Sequence, residues 1–185
     1  MKLKRMLLLA TAALAVAAFA APAAQAEQHE FNAATESYEG VLTITVASPA
    51  PGQLHCEVTM SLRAEGGTTA EIEEFTPTTS TCVGTGLFTG CVVKEHTTSV
   101  PFLVHTTLNN DLTIDDPPGN VVLHYIYEKC IAGITSTSLE FSSLTANPNP
   151  TTGAIHELTI NGTSTTGVTI SGVVTAEGEE LIELN

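Results

Sequence analysis

The chain is poor in aromatic and basic side chains. It has no tryptophan, and aromatic residues make up only 5% of its 185 residues. Since platforms for single-stranded nucleic acids and sugars are built from exposed aromatic rings, this composition argues against both kinds of site. Lysine and arginine number six, against 20 aspartates and glutamates. Such an acidic surface repels phosphate backbones and anionic lipid headgroups, so we expect neither nucleic acid nor a membrane surface as partner.

Long hydrophobic runs are also scarce, since the sequence shows only one. Three basic residues precede an apolar run from Met6 to Ala21, and the segment closes on Ala24-Gln25-Ala26. This pattern is typical of a secretory signal peptide, and we expect residues 1–26 to be removed. No other run reaches the length that spans a membrane. The product is therefore expected to be secreted or periplasmic, with no membrane attachment after cleavage.

The remaining chain predicts one all-β domain. Residues 27–37 are polar without clear periodicity, which predicts a flexible N-terminal arm. From residue 38 to 185, period-two patterning dominates, most clearly over Leu54–Arg63, and the 28 threonines after the leader favour strands. About ten short strands at regular spacing predict an antiparallel β-sandwich, or a barrel-like sandwich.

Several local features of this domain can also be predicted. Glu65-Gly66-Gly67 indicates a hairpin, followed by a bulge near Glu73-Glu74. A strand alternates from Val100 to Leu108, and one interpretation extends it through an irregularity at Asn109-Asn110 to Ile114. The residues of the Asp115–Asn120 segment predict a strong turn. Val121–Glu128 has apolar residues on both faces, which predicts a central strand.

The four cysteines predict two disulfide bonds. An even set (Cys56, Cys82, Cys91 and Cys130) in an exported chain is typical of a disulfide framework. The gap between Cys82 and Cys91 is too long for a zinc-binding pair. Three connectivities are possible. We favour Cys56–Cys82 with Cys91–Cys130, because this pairing joins sequence neighbours without crossing.

Histidine-based hydrolysis is one alternative to a non-catalytic role. The chain has no Gly-x-Ser-x-Gly motif, and His105 and His124 lie on polar strand faces. If the Asp115–Asn120 turn closes a tight hairpin, His124 falls opposite Asp111. Cross-strand polar pairs of this kind are also ordinary sheet stabilisers. We therefore assign no catalytic residue.

Oxygen-rich side chains raise the possibility of a calcium site. Asp111, Asp115, Asp116 and Asn120 surround one turn and carry the ligands that a hard cation prefers. Their spacing matches no EF-hand loop, and the same residue types are common in turns. They stay candidates only, and we expect no cofactor.

Two acidic clusters and one glycosylation sequon complete the candidates. The clusters (Glu71, Glu73 and Glu74; Glu177, Glu179 and Glu180) could act as paired glycosidase carboxylates, although solvated edges explain them more simply. Asn161-Gly162-Thr163 fits the N-glycosylation sequon and equally a hairpin turn, which we favour here.

The cysteine-containing segments resemble a group of uncharacterised secreted bacterial proteins. The shared sequence pattern is a cysteine (Cys82), a Gly-rich gap ending in Gly90-Cys91, and then the strand Val100–His105, in which an aromatic residue follows a proline. Tyr125 to Cys130 and Ile170-Ser171-Gly172 are similar to that group as well, so the likeness extends over residues 40–183. This chain has Phe102 where the group tends to place tryptophan. The resemblance implies a Cys-paired β-domain and brings no activity, ligand or catalytic residue.

Three classes of function follow from these observations. We expect a secreted, non-enzymatic envelope or extracellular protein with a structural or interaction role and an unknown partner. The alternative is a module that binds a small ligand or glycan, and an extracellular hydrolase is third. A deep pocket with convergent polar groups would favour the second class. A histidine, a carboxylate and a nucleophilic hydroxyl converging in a cleft would favour the third.

Overall fold

The computed structural model describes residues 29–47, 50–116, 119–178 and 181–185, so the expected signal peptide lies outside the described residues. Within these ranges the chain is all-β, as expected, with one 3-10 turn at Thr79–Thr81. The strands are β1 Phe31–Val46, β2 Gly52–Gly67, β3 Thr69–Pro77, β4 Val83–Gly86, β5 Val92–Thr98, β6 Phe102–Thr106, β7 Leu112–Asp115, β8 Val121–Glu128, β9 Ser136–Phe141, β10 Leu144–Asn149, β11 Gly153–Ala154, β12 Glu157–Thr163, β13 Thr169–Ala176 and β14 Glu183–Leu184. The number of strands exceeds the expected ten because four short strands are also present, namely β4, β7, β11 and β14.

Eight antiparallel strands close into a barrel. Their hydrogen-bonded order is β1-β13-β12-β10-β7-β6-β3-β2, and β2 pairs with β1 to complete the ring. The period-two pattern determines which side chains face inward. In β2 the buried side chains are Leu54, Cys56, Val58, Met60, Leu62 and Ala64, and the residues between them are half-exposed or exposed. The barrel therefore has an apolar interior and a threonine-rich polar exterior.

A second sheet, in the order β5-β8-β9, completes the core. Its buried side chains come from all three strands and include Tyr125, Tyr127, Leu139 and Phe141. They form one continuous apolar cluster with the inward side chains of the barrel. The fold is thus a closed barrel with an added sheet, which corrects the two-layer sandwich and agrees with the barrel-like alternative. β8 is central in its sheet, as expected.

The first strand begins earlier than the sequence pattern suggests. Residues 31–37 belong to β1 and pair with β2, whereas their polarity predicts a loose arm. Phe31 is buried and also pairs with Leu184 of β14. The alternation is hard to recognise because Glu36, a charged residue, occupies a buried position opposite Leu62.

The predicted β2–β3 hairpin and its bulge are confirmed. The register passes from Ser61–Glu74 to Leu62–Ile72, so Glu73 is the extra residue.

Two other local predictions are wrong. Residues 100–114 do not form one strand, because the chain reverses between Thr107 and Asp111, where Asn110 has a φ of 65°. Asn161 and Gly162 lie inside β12, and the turn comes later, with Gly167 donating to the carbonyl of Ser164.

Two glycines allow β1 and β13 to approach closely. A Cβ atom on Gly40 would overlap the carbonyl oxygen of Val173, and one on Gly172 would overlap that of Val41. Both positions therefore require glycine for steric reasons, although their backbone lies in regular strands.

The cysteines form two disulfides, Cys56–Cys82 and Cys91–Cys130, which is the connectivity favoured above. The first ties β2 to the segment that follows the 3-10 turn. The second joins the residue before β5 to the loop after β8. Two disulfides indicate an oxidising, extracellular or periplasmic environment.

Candidate functional site

The His105–Asp115 pair on the β6–β7 hairpin is the main candidate for chemistry. His105 lies directly opposite Thr113, and Leu103 lies opposite Asp115, so the imidazole and the carboxylate are diagonal neighbours. His105 Nε2 is 3.6 Å from Asp115 Oδ1, and both side chains are partly exposed. Such a pair can orient an imidazole, which is one part of a nucleophilic site.

In the part of the chain that the structure describes, no hydroxyl on a facing strand is hydrogen-bonded to this pair as a hydrolytic site would require. The cross-strand neighbours of His105 are Thr113 on β7 and Thr69 on β3, and both carry a hydroxyl. Among the described residues, neither hydroxyl makes a hydrogen bond to the imidazole. Activation of a hydroxyl requires a base within hydrogen-bond reach. The arrangement therefore acts as a cross-strand ion pair when His105 is protonated.

The length of β7 separates Asp111 from the other calcium candidates. Asp111 lies before this strand and accepts a backbone hydrogen bond from Thr107, whereas Asp115 ends the strand and Asp116 follows it. Asn120 is exposed just before β8, which belongs to the other sheet. Over the described ranges, no three His, Cys, Asp or Glu side chains converge as a metal site would require.

A cleft of about 240 Å³ lies beside the His105–Asp115 pair. Its lining combines apolar surface from the Pro101-Phe102-Leu103 segment with the carboxyl-bearing residues Glu71 and Asp116. The Glu71 carboxylate already accepts a hydrogen bond from Arg63, at 3.1 Å. One of the two carboxylates is thus already paired with a cation of the protein.

His124 does not approach Asp111. β7 belongs to the barrel and β8 to the second sheet, so the Asp115–Asn120 segment connects two sheets and closes no hairpin. Across the ladder, His124 lies opposite Thr97 on one side and Ser138 on the other. The predicted His124–Asp111 contact is therefore wrong, because the strand pairing it assumed does not occur.

A larger and shallower depression, of about 400 Å³, lies on the outer surface of β10, β12 and β13. We call it the hydroxyl cleft, after its lining by Ser143, Thr145, Asn161, Gly162, Thr163, Thr169, Ile170 and Ser171. Thr145, Asn161 and Ser171 are adjacent across the ladder, so their polar groups form a row. The cleft offers neutral hydrogen-bond donors and acceptors but no carboxylate, imidazole or aromatic ring.

Two members of the first acidic cluster, Glu71 and Glu73, contact a single arginine, whereas Glu74 accepts a hydrogen bond from Thr76. Arg63 contacts the carboxylates of Glu65, Glu71 and Glu73 at 2.7, 3.1 and 2.7 Å. The hydrogen bond to Glu71 and the charges of the other two raise the pKa of the guanidinium. Because the carboxylates share a cation in a polar setting, they resemble a surface ion-pair network and not a glycosidase pair.

The second acidic cluster involves partners that the sequence analysis missed. Glu179 and Glu180 lie outside the described residues, whereas Glu177 approaches Glu39 and Glu36 of β1. Partial loss of hydration, a hydrogen bond with Glu39 and the negative charges of Glu39 and Glu36 together raise the pKa of Glu177, which is otherwise exposed. Glu36 is 4% exposed, and its Oε1 accepts hydrogen bonds from the backbone amides of Ser37 and Gly178. Its carboxylate thereby anchors the chain that follows β13.

Comparisons with known proteins add no assignment: the chain matches no protein-family model, no curated protein and no solved structure. No helix in the described part of the chain is long and apolar enough to cross a membrane.

Proposed function

We propose that this chain is a secreted, non-catalytic protein of the cell envelope or extracellular space, which acts through its outer surface. The observation that carries the proposal is the filled interior of the barrel. Large side chains from around the ring, among them Tyr38, Met60, Phe102 and Leu112, are less than 2% exposed and belong to one cluster. The interior is thus occupied by the protein itself, which leaves recognition to the exterior.

The chemistry of the surface also supports a non-catalytic role. The His105–Asp115 pair lacks an activated hydroxyl among the described residues, and the nearby carboxylate of Glu71 is paired with Arg63. Two disulfides suit a protein that must keep its shape outside the cytosol. The low content of basic residues suits a partner that is neutral or cationic.

The export part of this proposal can be tested by mass spectrometry of the natural protein. We expect the mature protein to begin at Glu27 and to be recovered outside the cytosol with both disulfides formed. A cytosolic protein that retains residues 1–26 and carries free thiols would contradict export.

The non-catalytic part can be tested by an activity screen against chromogenic esters, glycosides and peptides. We expect no turnover by the wild type beyond the level of a His105→Asn variant. His124→Asn serves as the matched control, because His124 lies on the other sheet. Turnover that is lost in His105→Asn and kept in His124→Asn would refute the proposal in favour of a hydrolase.

A second candidate function is binding of a neutral small ligand or glycan in the hydroxyl cleft. The row formed by Thr145, Asn161 and Ser171 presents hydroxyl and amide groups that match the hydrogen-bonding capacity of sugar hydroxyls. A glycan array followed by titration calorimetry tests this function. A specific ligand should lose affinity in Asn161→Ala and keep it in Asn147→Ala, a neighbouring strand position outside the cleft lining.

A further inference from the structure

The three-stranded sheet ends in an open strand, β9. Within the described ranges, β9 pairs with β8 on one side and has no strand on the other. Its six residues form a ladder without a register shift, and the sequence Ser136–Phe141 contains no proline and no basic residue. An open edge of this kind is a template for pairing with another strand.

The ladder determines which backbone groups face the open side. On the β5 side of β8, the Ser99 amide donates to the Val122 carbonyl and the Val122 amide donates to Ser99 Oγ, whereas on the β9 side the Tyr127 amide donates to the Thr135 carbonyl. Because these directions alternate along an antiparallel ladder, Thr137, Leu139 and Phe141 bond to β8. The N–H and C=O groups of Ser136, Ser138 and Glu140 therefore point away from the sheet, and these three residues are exposed.

Other strands with an open side carry features that discourage pairing. In β5 the register slips at Lys94, which is the extra residue of a bulge and pairs with Glu128 at 3.1 Å. β4 has only four residues, two of them glycines. Bulges, charged lysines and short length all protect sheet edges. β9 carries one charge, Glu140, and none of these features.

The open side of β9 is complementary to itself. When two copies pair antiparallel about Ser138, each Ser138 lies opposite its counterpart and each Ser136 lies opposite Glu140 of the second copy. Three residue pairs can then exchange two backbone hydrogen bonds each. The single carboxylate faces a serine hydroxyl, which can donate to it, and does not face another carboxylate. Two copies of this acidic protein can therefore pair along β9 without placing two negative charges directly opposite each other.

We propose that the protein forms a two-fold symmetric dimer in which β9 pairs antiparallel with β9 of a second copy, joining the two small sheets into one sheet of six strands. This proposal goes beyond the function proposed above. A monomeric protein would overturn the dimer and leave the secreted, non-catalytic role standing.

The oligomeric state can be tested by sedimentation velocity on the mature, oxidised protein at concentrations up to about 1 mM, where even weak self-association is populated. We expect a concentration-dependent shift from monomer to dimer. Ser138→Pro removes an amide that does not bond to β8, so the fold should survive while dimer affinity falls by about tenfold or more. Ser138→Ala is the matched control and should dimerise as the wild type does. A wild type that stays monomeric throughout overturns the proposal.

A pair of cysteine variants tests the register and does not depend on Ser138→Pro folding. In the proposed dimer the two Ser138 residues form a hydrogen-bonded pair with Cα atoms about 5.5 Å apart, within reach of a disulfide. The two Ser136 residues are about 14 Å apart, from a four-residue offset along the strand and the spacing between strands. Mild oxidation should therefore cross-link Ser138→Cys into a covalent dimer and leave Ser136→Cys largely uncross-linked. Equal cross-linking of both variants, or of neither, overturns the proposed pairing.

Discussion

Removing either disulfide should cost several kcal/mol, with nearly the same value for both. The bridges close chain segments of 26 and 39 residues. The chain-entropy relation assigns about 3.5 kcal/mol to the first and about 3.9 kcal/mol to the second. Each bridge has one buried member, Cys56 or Cys91, and one half-buried member, so losses from packing are also similar. Cys→Ala at both ends of one bridge is therefore expected to lower Tm by roughly 7–15 °C.

The assay is guanidinium unfolding of the wild type and the two double variants, monitored by circular dichroism. Besides the lower free energy of unfolding, each variant should show a larger m-value, because an uncross-linked chain exposes more surface when unfolded. The reasoning is refuted if either double variant loses less than about 1 kcal/mol with an unchanged m-value. A cost for one bridge several times that for the other would show that native packing, and not chain entropy, sets the stabilisation.

Further predictions concern the burial and steric features of the barrel and its added sheet. Burial raises the pKa of Tyr127 from 10.0 to about 12. The neutral phenol therefore stabilises the fold below pH 10, and this stabilisation is lost as pH rises through 12. Tm should fall over this range, and it should fall less steeply in Tyr127→Phe. The raised pKa of Glu177 means that ionisation destabilises the fold, so Glu177→Gln should have the higher Tm near neutral pH and lose this advantage under acidic conditions. Gly172→Ala should lower the free energy of unfolding in denaturant by about 2 kcal/mol or more because of its backbone overlap, and Gly119→Ala, an exposed control, by less than about 1 kcal/mol.

The local elements that depend on neighbouring residues could be predicted from the sequence. The alternation over Leu54–Arg63, the glycine pair that ends β2 and the slipped inward set around Glu73 each have a signal within a few residues. The favoured cysteine pairing also follows sequence proximity. In these cases the determining contacts are short-range in the chain.

The barrel closure and the candidate site depend on contacts that no local pattern encodes. The turn residues at 115–120 do not determine whether β7 pairs with β6 or with β8. This pairing decides which residues surround His124 and Asp115. Glu36 was missed because a carboxylate at an inward position resembles a break in the pattern. Counting back by twos from Ile44 and Leu42 through Tyr38 would have placed it on the buried face.

The closure of the ring also constrains when the protein can fold. Besides β2, β1 pairs with β13, where Tyr38 lies opposite Ala176. The barrel therefore cannot close until nearly the whole chain is present. Pairings between such distant segments make folding slow. If the chain is exported as proposed, it can pass through a translocation pore while still extended and complete its ring on the far side, where its thiols oxidise.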